Sequence, residues 1–235
     1  GPIASSTLTV VGKKLVAPTS SQTSDYWTIE EWQSDISRSE LFTDAVFGSA
    51  DIAIPASGNT TVAFNAIALD RTSSGAQVLT TPTAETTTDV VQGVKGLVVV
   101  QGAAVANITG ASIKIDGGAE SIGSVLGSNV SPDIKRGVLK VSGQITAFWE
   151  NGTMSGYFDN ATPISIAIVD AVDDTNASEF ISFVMSKVKL DGDDKDNGAR
   201  GIIRTYPFTA EINGAGGAAL ANSKTILTIQ DSLAA

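Results

Sequence analysis

The sequence predicts a mainly β protein, a barrel or sandwich with one or two short flanking helices. Two observations favour this class. Residues 138–150 alternate strictly between apolar and polar side chains, and further segments of β character recur between turns rich in Asp, Gly and Asn. A chain of 235 residues can bury roughly 70% of its surface without disulfide bonds. We therefore expect residues 25–235 to form a single β domain.

The strand predicted at 138–150 is the clearest in the chain. One face carries Leu139, Val141, Ile145, Ala147 and Trp149, and the other carries Lys140, Ser142, Gln144, Thr146 and Glu150. This alternation indicates that one face packs and the other meets solvent. Gly143 lies on the apolar face, where a glycine marks a bulge or a close approach of another backbone.

Further strands are predicted on both sides of this one. Their composition places them at 62–69, 95–105, 107–116, 163–170, 178–190, 202–212 and 224–230. The Gly-, Asp- and Asn-rich segments 191–201 and 213–222 are predicted as turns between the last three. Residues 151–159 can form one helical turn that places Met154 and Phe158 on a shared side.

A second short helix is predicted earlier in the chain. Leu41, Ala45 and Val46 lie at i, i+4 and i+5, with Ser39 in the N-cap position. The pattern predicts a helix over 39–47, which ends at Gly48.

Two segments are predicted to be irregular. Residues 3–24 are rich in Ser and Thr and are expected to form an N-terminal arm or loop. Residues 71–93 are dominated by Thr, Ser and Gly, and a connection of that length inside a compact domain is usually functional. Residues 1–2, Gly-Pro, match the remnant that a 3C-type protease leaves when it removes a tag, and they are excluded from the fold.

Composition narrows the possible functions. The sequence contains no cysteine and no histidine, which excludes disulfide bonds, thiolate zinc sites and Ser–His–Asp or Cys–His nucleophile systems within this chain. The net charge of −10 repels nucleic-acid phosphate. Only 17% of residues are charged, where about a quarter is usual. A surface rich in Ser and Thr would explain this low fraction, and so would surface that is buried against other copies of the chain, which is the interpretation we favour.

Acidic residues are the remaining candidates for chemistry or metal binding. An EF-hand register with Gly198 at position 6 puts Lys195 at position 3 and Arg204 at position 12, so the calcium pattern fails. The adjacent acidic pairs are Glu30 and Glu31, Asp173 and Asp174, and Asp193 and Asp194. Neighbours on a strand point to opposite faces, and neighbours on a loop are solvated. We predict no catalytic residue, no cofactor and no metal site.

The sequence indicates neither a membrane-spanning segment nor a signal for export. No apolar run approaches the ~20 residues that span a bilayer, and the start of the sequence lacks the features of a signal peptide.

Trp149 is expected in the core or at an interface because it lies on the packed face of its strand. Trp27 and Trp32 flank acidic residues and are interpreted as interface anchors.

The order of several segments within residues 107–231 resembles that of major tail tube proteins of long-tailed, siphovirus-type bacteriophages. The segments are 112–116 followed by 125–128, 133–137 leading into 141–143, the short helix that closes at 157–162, 185–190, 203–210 and 225–231. The early helix of the family corresponds to 39–47. Residues 51–106 depart from the pattern because they are long and rich in Thr.

The resemblance implies a tail-tube-type β-barrel or sandwich with a structural role rather than an enzymatic one. It implies homo-hexameric rings that stack into a tube, with an acidic or neutral lumen that conducts DNA into the host without specific binding. The implied partners are other copies of the chain, the tape-measure protein and the tail tip and terminator proteins. The implied location is the virion, with assembly in the host cytoplasm. Candidate stacking elements are 3–24, 71–93, as a possible inter-ring contact, and 191–200.

Two other functions fit the same composition. A β-sandwich adhesin, surface-layer or carbohydrate-binding module would present aromatic residues on one exposed strand face. A hydrolase without histidine or cysteine would need a pair of converging carboxylates about 5–10 Å apart. The placement of the aromatic and acidic side chains distinguishes these alternatives.

Overall fold

The computed structural model of the protein describes residues 12–16, 25–81, 84, 87, 89–123, 125–128, 130–173, 179–196, 201–213 and 225–232, and for 12–16 the backbone alone. These residues form sixteen strands and one helix. The strands are β1 (Gly12–Val16), β2 (Trp27–Gln33), β3 (Arg38–Pro55), β4 (Thr61–Ile67), β5 (Asp70–Ser74), β6 (Gln92–Val100), β7 (Ala103–Val105), β8 (Ile108–Asp116), β9 (Glu120–Ser121), β10 (Ile134–Lys135), β11 (Lys140–Phe148), β12 (Ile164–Ala171), β13 (Phe180–Leu190), β14 (Asp194–Asp196), β15 (Ile203–Ala210) and β16 (Leu227–Asp231). The helix, α1 (Thr153–Asp159), lies between β11 and β12. The predicted mainly β class is confirmed.

The strands form two antiparallel layers that share one strand. The front sheet has the order β4-β3-β8-β11-β15-β14, and the back sheet has the order β7-β6-β12-β13-β16-β1. Strand β13 belongs to both layers, because residues 188–190 pair with β15 whereas residues 181–184 pair with β16. The two layers therefore form a sandwich that is continuous through β13.

A single apolar core fills the space between the layers. The front sheet supplies Ile52, Ile113, Val141, Ile145 and Phe208, and the back sheet supplies Val100, Ile166, Ile168, Phe183, Met185 and Leu227. Each fully buried side chain of this size stabilises the fold by about 1.5–3 kcal/mol. Helix α1 packs its Met154, Tyr157 and Phe158 against this core, which confirms the shared side predicted for Met154 and Phe158.

Strand β11 confirms the strongest prediction. Val141, Ile145 and Ala147 are buried, and Lys140 on the opposite face is exposed. Gly143 marks a close approach, because a Cβ there would lie 2.1 Å from the Ser112 carbonyl oxygen and 2.6 Å from Phe208 Cζ. Of the two positions predicted for Trp149, the core is wrong. Its side chain follows the end of β11 and is 41% exposed.

The helix predicted at 39–47 is wrong, because these residues lie in the 18-residue strand β3. Asp44 has a φ of 51°, and the register with β4 shifts between Phe47 and Ser49. These irregularities break the period of two, so that the neighbours Ala45 and Val46 are both buried. Over a few residues, the resulting spacing of apolar side chains matches that of an amphipathic helix. The strand conformation is instead determined by the pairing of β3 with four other strands.

The same irregularity divides β3 into two parts with different neighbours. Residues 39–43 pair with β2 and β5, and these three strands form an extension of the molecule. The second part, from 46 onward, pairs with β4 and β8 in the front sheet. A further pair, β9 with β10, forms a small separate sheet.

Two segments predicted as irregular, and one predicted as a turn, contain strands. In 3–24, residues 12–16 form β1, which pairs with β16, and the remainder lies outside the described residues. Residues 71–93 contribute to β5 at one end and to β6 at the other, and their described middle contains no strand. In 191–201, residues 194–196 form β14 against β15. Most of the turn predicted at 213–222 lies outside the described residues.

Candidate assembly surfaces

Strand β4 is exposed along most of its length. Within the part of the chain that the structure describes, it pairs with β3 alone. Six of its seven residues are exposed, on both faces of the strand. Val62 lies opposite the buried Ile52 and is 45% exposed, and Phe64, on the same face, is 66% exposed. The apolar face of the front sheet therefore continues beyond the core onto an uncovered edge strand.

Three aromatic rings extend this uncovered surface toward the extension. Phe47 lies between Trp27 and Phe64, with ring centroids 6.1 Å and 5.7 Å away and interplanar angles of 66°. All three side chains are more than 40% exposed. The edge-to-face geometry stabilises the cluster, but it does not present a flat platform on which a sugar ring could stack. We call Trp27, Phe47 and Phe64 the aromatic ladder.

The solvent side of the front sheet is polar. Its side chains between β3 and β15 include Ser49, Asp51, Ser112, Lys114, Asp116, Lys140, Ser142, Gln144, Thr146, Thr205 and Thr209. We call this surface the polar face. Lys114 lies opposite Asp51, and Lys140 lies opposite Asp116.

The polar face carries further charged side chains of both signs toward β14. Lys187 and Lys189 lie 2.8 Å and 3.4 Å from the carboxylate oxygens of Glu211. These contacts with lysine lower the pKa of Glu211. Asp194 lies opposite Thr205 and adds a further acidic side chain on this side of the sheet. Every lysine described on the polar face therefore has a carboxylate as its cross-strand or contacting partner.

Asp193 forms a part-buried ion pair near α1 instead of lying in solvent. Its Oδ2 accepts a hydrogen bond from Arg204 Nη1, and the same nitrogen donates to Ser155 Oγ at 3.4 Å. The hydrogen bond to Asp193 raises the pKa of Arg204. Arg204 Cζ lies 4.8 Å from the centre of the Trp149 ring, a cation–π contact. The Asp193 carboxylate is thus occupied by a guanidinium, and the cluster fastens β15 to the start of α1.

Glu30 connects the extension to the long segment 71–93. Its carboxylate accepts hydrogen bonds from the Ser39 hydroxyl and from the backbone N–H groups of Val78 and Leu79, the last two at 2.7 Å and 2.6 Å. These bonds, led by that from Ser39, lower the pKa of Glu30. Its role is consequently to hold residues 78–79 in place.

Asp170 is the one fully buried acidic residue among those described. The Thr60 hydroxyl donates to its Oδ2 at 2.6 Å, and its Oδ1 has no partner within the described chain. Burial raises the pKa of Asp170. It lies at a groove between β6 and β8, lined by Ile54, Gly93 and Ile168 among others, and no other acidic residue lines that groove.

The described residues offer little else that resembles a chemical site. They contain no group of three or more Asp and Glu side chains placed to hold a metal ion. No helix among them is both long and apolar enough to cross a membrane. The distinctive features of the described surface are accordingly the exposed strand β4, the aromatic ladder and the polar face.

Comparison with models of protein families identifies the family of this chain. The family model of phage tail tube proteins matches residues 6–210 of 235. The chain belongs to this family. A similarity search of curated proteins finds no match.

As a phage tail tube protein, the molecule is a structural component of the virion. The match includes residues 51–106, so their length and Thr content do not exclude them from the family pattern. Of the tryptophans predicted as interface anchors, Trp27 is on the aromatic ladder, whereas Trp32 is half-buried in β2. The role of Phe47 was not predicted from the sequence, because the apolar spacing there predicts a helix. The sequence did predict Phe64 in a strand, but alternation alone did not reveal that both faces of that strand are exposed.

Proposed function

We propose that this protein is the repeating subunit of the tail tube of a siphovirus-type phage, and that six copies form a ring and rings stack into a tube. The lumen, acidic to neutral, conducts DNA into the host during ejection without binding it specifically. The observation that carries this proposal is β4, an uncharged edge strand that is exposed at its outer edge and on both faces.

A strand of this kind requires a partner. Unpaired edge strands promote association with other chains, and natural proteins usually protect them with lysine, proline or a covering segment. Strand β4 (TVAFNAI) contains no charged residue and no proline. Pairing between identical copies in a closed ring satisfies such edges without a free end. The exposed apolar side chains of β4 and of the aromatic ladder would be buried at the same joint.

The remaining partners follow from the same role. A tube of defined length needs a tape-measure protein inside it during assembly and terminator and tip proteins at its ends, and we place assembly in the host cytoplasm. No catalytic function is proposed, because the family is a structural one and the carboxylates of Glu30, Asp193 and Glu211 are engaged by backbone N–H, Arg and Lys donors. The edge-to-face aromatic ladder favours protein contact over sugar stacking.

The test compares two lysine substitutions at exposed apolar positions. Phe64→Lys charges the face of β4, whereas Leu126→Lys changes a side chain that is fully exposed in a loop. Negative-stain microscopy of the purified wild-type protein and of Leu126→Lys should show six-membered rings or tubes. Phe64→Lys should remain a folded monomer, with an unchanged circular dichroism spectrum.

Two results would contradict the proposal. One is a wild-type protein that stays monomeric at high protein and salt concentrations. The other is a Phe64→Lys variant that assembles as efficiently as Leu126→Lys, because the joint would then not involve β4.

A further inference from the structure

We infer that the buried residue Asp170 positions β4 for pairing between copies, although it lies outside the joint itself. The inference rests on the proposed function, because it names the residue that holds the joining strand in place. Within the described chain, β4 pairs with β3 alone, and six of its seven residues are exposed. An edge strand with one neighbour and little burial opens readily. A second copy can pair with β4 only while that strand lies in its sheet.

The turn between β3 and β4 is attached to the back sheet through its backbone and through one side chain. Asn59 forms an antiparallel bridge with Gln92 at the start of β6. Beside this bridge, the backbone N–H of Thr60 donates to the carbonyl oxygen of Val91 at 3.1 Å. The Thr60 hydroxyl donates to Asp170 Oδ2 at 2.6 Å. Thr60 directly precedes β4, so these contacts fix the place where the edge strand begins.

Strand β6 bulges around Asp170. The register between β6 and β12 shifts here, so that residues 93–96 lie opposite Asp170 alone. Glycines at both ends of the bulge provide the room. A Cβ at Gly96 would lie 2.7 Å from Asp170 Oδ1, and a Cβ at Gly93 would lie 2.0 Å from the carbonyl oxygen of Pro55. The bulge therefore accommodates the carboxyl group and the end of β3 together.

The carboxyl group of Asp170 is unfavourable for stability alone. The residue is fully buried, lies beside Ile54 and Ile168 at the groove between β6 and β8, and leaves its Oδ1 without a partner in the described chain. Burial of a polar group with incomplete hydrogen bonding costs free energy, and an apolar side chain would avoid that cost. What the carboxyl group provides is a directed hydrogen bond to Thr60, and through it a fixed start for β4.

This bond acts on assembly through preorganisation. A strand that already has its joining conformation loses less conformational entropy when a second copy pairs with it. Without the bond to Asp170, β4 is open for more of the time, and fewer subunits are able to pair at any moment. Assembly should consequently respond to this bond more strongly than the overall fold does.

The test removes the Thr60 hydroxyl and compares the result with the loss of a matched bond elsewhere. Thr60→Val has nearly the same shape but no donor for Asp170, whereas Thr60→Ser keeps the donor. The control is Thr209→Val, because Thr209 also donates to a carboxylate, Asp191 Oδ2, at 2.6 Å, on a strand separated from β4 by three others. Light scattering should show assembly about tenfold slower for Thr60→Val. Thr60→Ser and Thr209→Val should assemble at the wild-type rate.

Hydrogen exchange of the unassembled subunits measures the cause directly. In Thr60→Val, the backbone amides of β4 should exchange about tenfold faster than in the wild type, and those of β11 should be unchanged. In Thr209→Val, the amides of β4 should exchange as in the wild type. A residue that contributes only to overall stability would change the exchange of both strands.

Several results would overturn the inference. They are wild-type assembly by Thr60→Val, equal slowing by Thr60→Val and Thr209→Val, and failure of Thr60→Ser to restore assembly. Global unfolding of Thr60→Val would also overturn it, because the bond would then serve the whole fold. A wild-type protein that forms no rings or tubes would instead refute the proposed function, while the exchange rates would still show whether Asp170 holds β4.

Discussion

Among the described glycines of the front sheet, Gly143 leaves the least room for a side chain. A Cβ there would overlap the backbone of β8 and the ring of Phe208, and both belong to the packed interior. We expect Gly143→Ala to lower the free energy of unfolding by about 1–3 kcal/mol, measured by urea denaturation of the monomer.

The control for this change is Gly156→Ala in α1. A Cβ at Gly156 meets no atom within 4 Å, and alanine is favoured over glycine inside a helix by about 0.5–1 kcal/mol. This variant should be slightly stabilised. Equal effects of the two substitutions would show that the close approach at Gly143 is not a real constraint.

Asp170 links stability to pH. Because burial raises its pKa in the folded state, the fold favours the protonated carboxyl, and stability is lost as the pH rises through that pKa. Asp170→Asn keeps an acceptor for Thr60 and cannot ionise. The variant should be more stable than the wild type by about 1–2 kcal/mol at neutral pH. The difference should shrink as the pH falls toward about 3, and urea titrations at several pH values would reveal a constant difference if Asp170 were not responsible.

Single residues were predicted unevenly from the sequence. Gly143 was interpretable because it interrupts a strict alternation, which is a local signal. Trp149 and Asp193 were not, because their positions depend on Arg204, which the chain brings near them from more than ten residues away in sequence. A long-range contact of that kind produces no periodic pattern in the sequence.

At the level of elements, Asp44 marks the irregularity that divides β3 into two parts. Its φ of 51° lies in the left-handed region, which costs most L-residues about 1–2 kcal/mol and glycine very little. Asp44 is exposed, so no buried contact complicates the comparison. We expect Asp44→Gly to be neutral or stabilising and Asp44→Val to destabilise by about 1–2 kcal/mol. Indistinguishable unfolding midpoints for the two variants would show that the left-handed backbone at position 44 imposes no constraint.

Strands with regular alternation were predicted well, and irregular ones were not. The elements β8, β11, β12, β13, β15 and β16 were all found within a few residues of their predicted positions. Strand β3 was mistaken for a helix because its bulges shift apolar residues to a spacing of four. Strand β14 was missed because its residues, Asp-Lys-Asp, have low β propensity and pair only through long-range contact with β15.

At the level of the whole molecule, the net charge opposes assembly. Each subunit carries −10, and like-charged copies repel each other when salt is low. The repulsion is screened within about 10 Å at 0.1 M ionic strength. Polymerisation, followed by light scattering, should therefore increase between about 0.01 and 0.1 M salt. Salt that dissolves tubes instead would indicate that ion pairs between copies dominate the joint.

The family was recognisable from the order of segments, whereas the surfaces were not. Residues 107–231 contain the regular strands. The order of strand, helix and hairpin in this region can be read from the local periodicity of apolar residues. The exposure of β4 and the pairing of Lys114 with Asp51 depend on which strands become neighbours. That information is distributed over the whole chain and emerges only when the sheets are formed.

The pairing of β1 with β16 has a consequence for biosynthesis. Val16 and Leu227 are register partners about 210 positions apart, so the first of these strands leaves the ribosome long before its neighbour exists. Strand β13, which holds both layers together, is likewise made late in translation. The nascent chain must therefore keep its early apolar segments soluble for most of its synthesis, because the strands that cover them are made last.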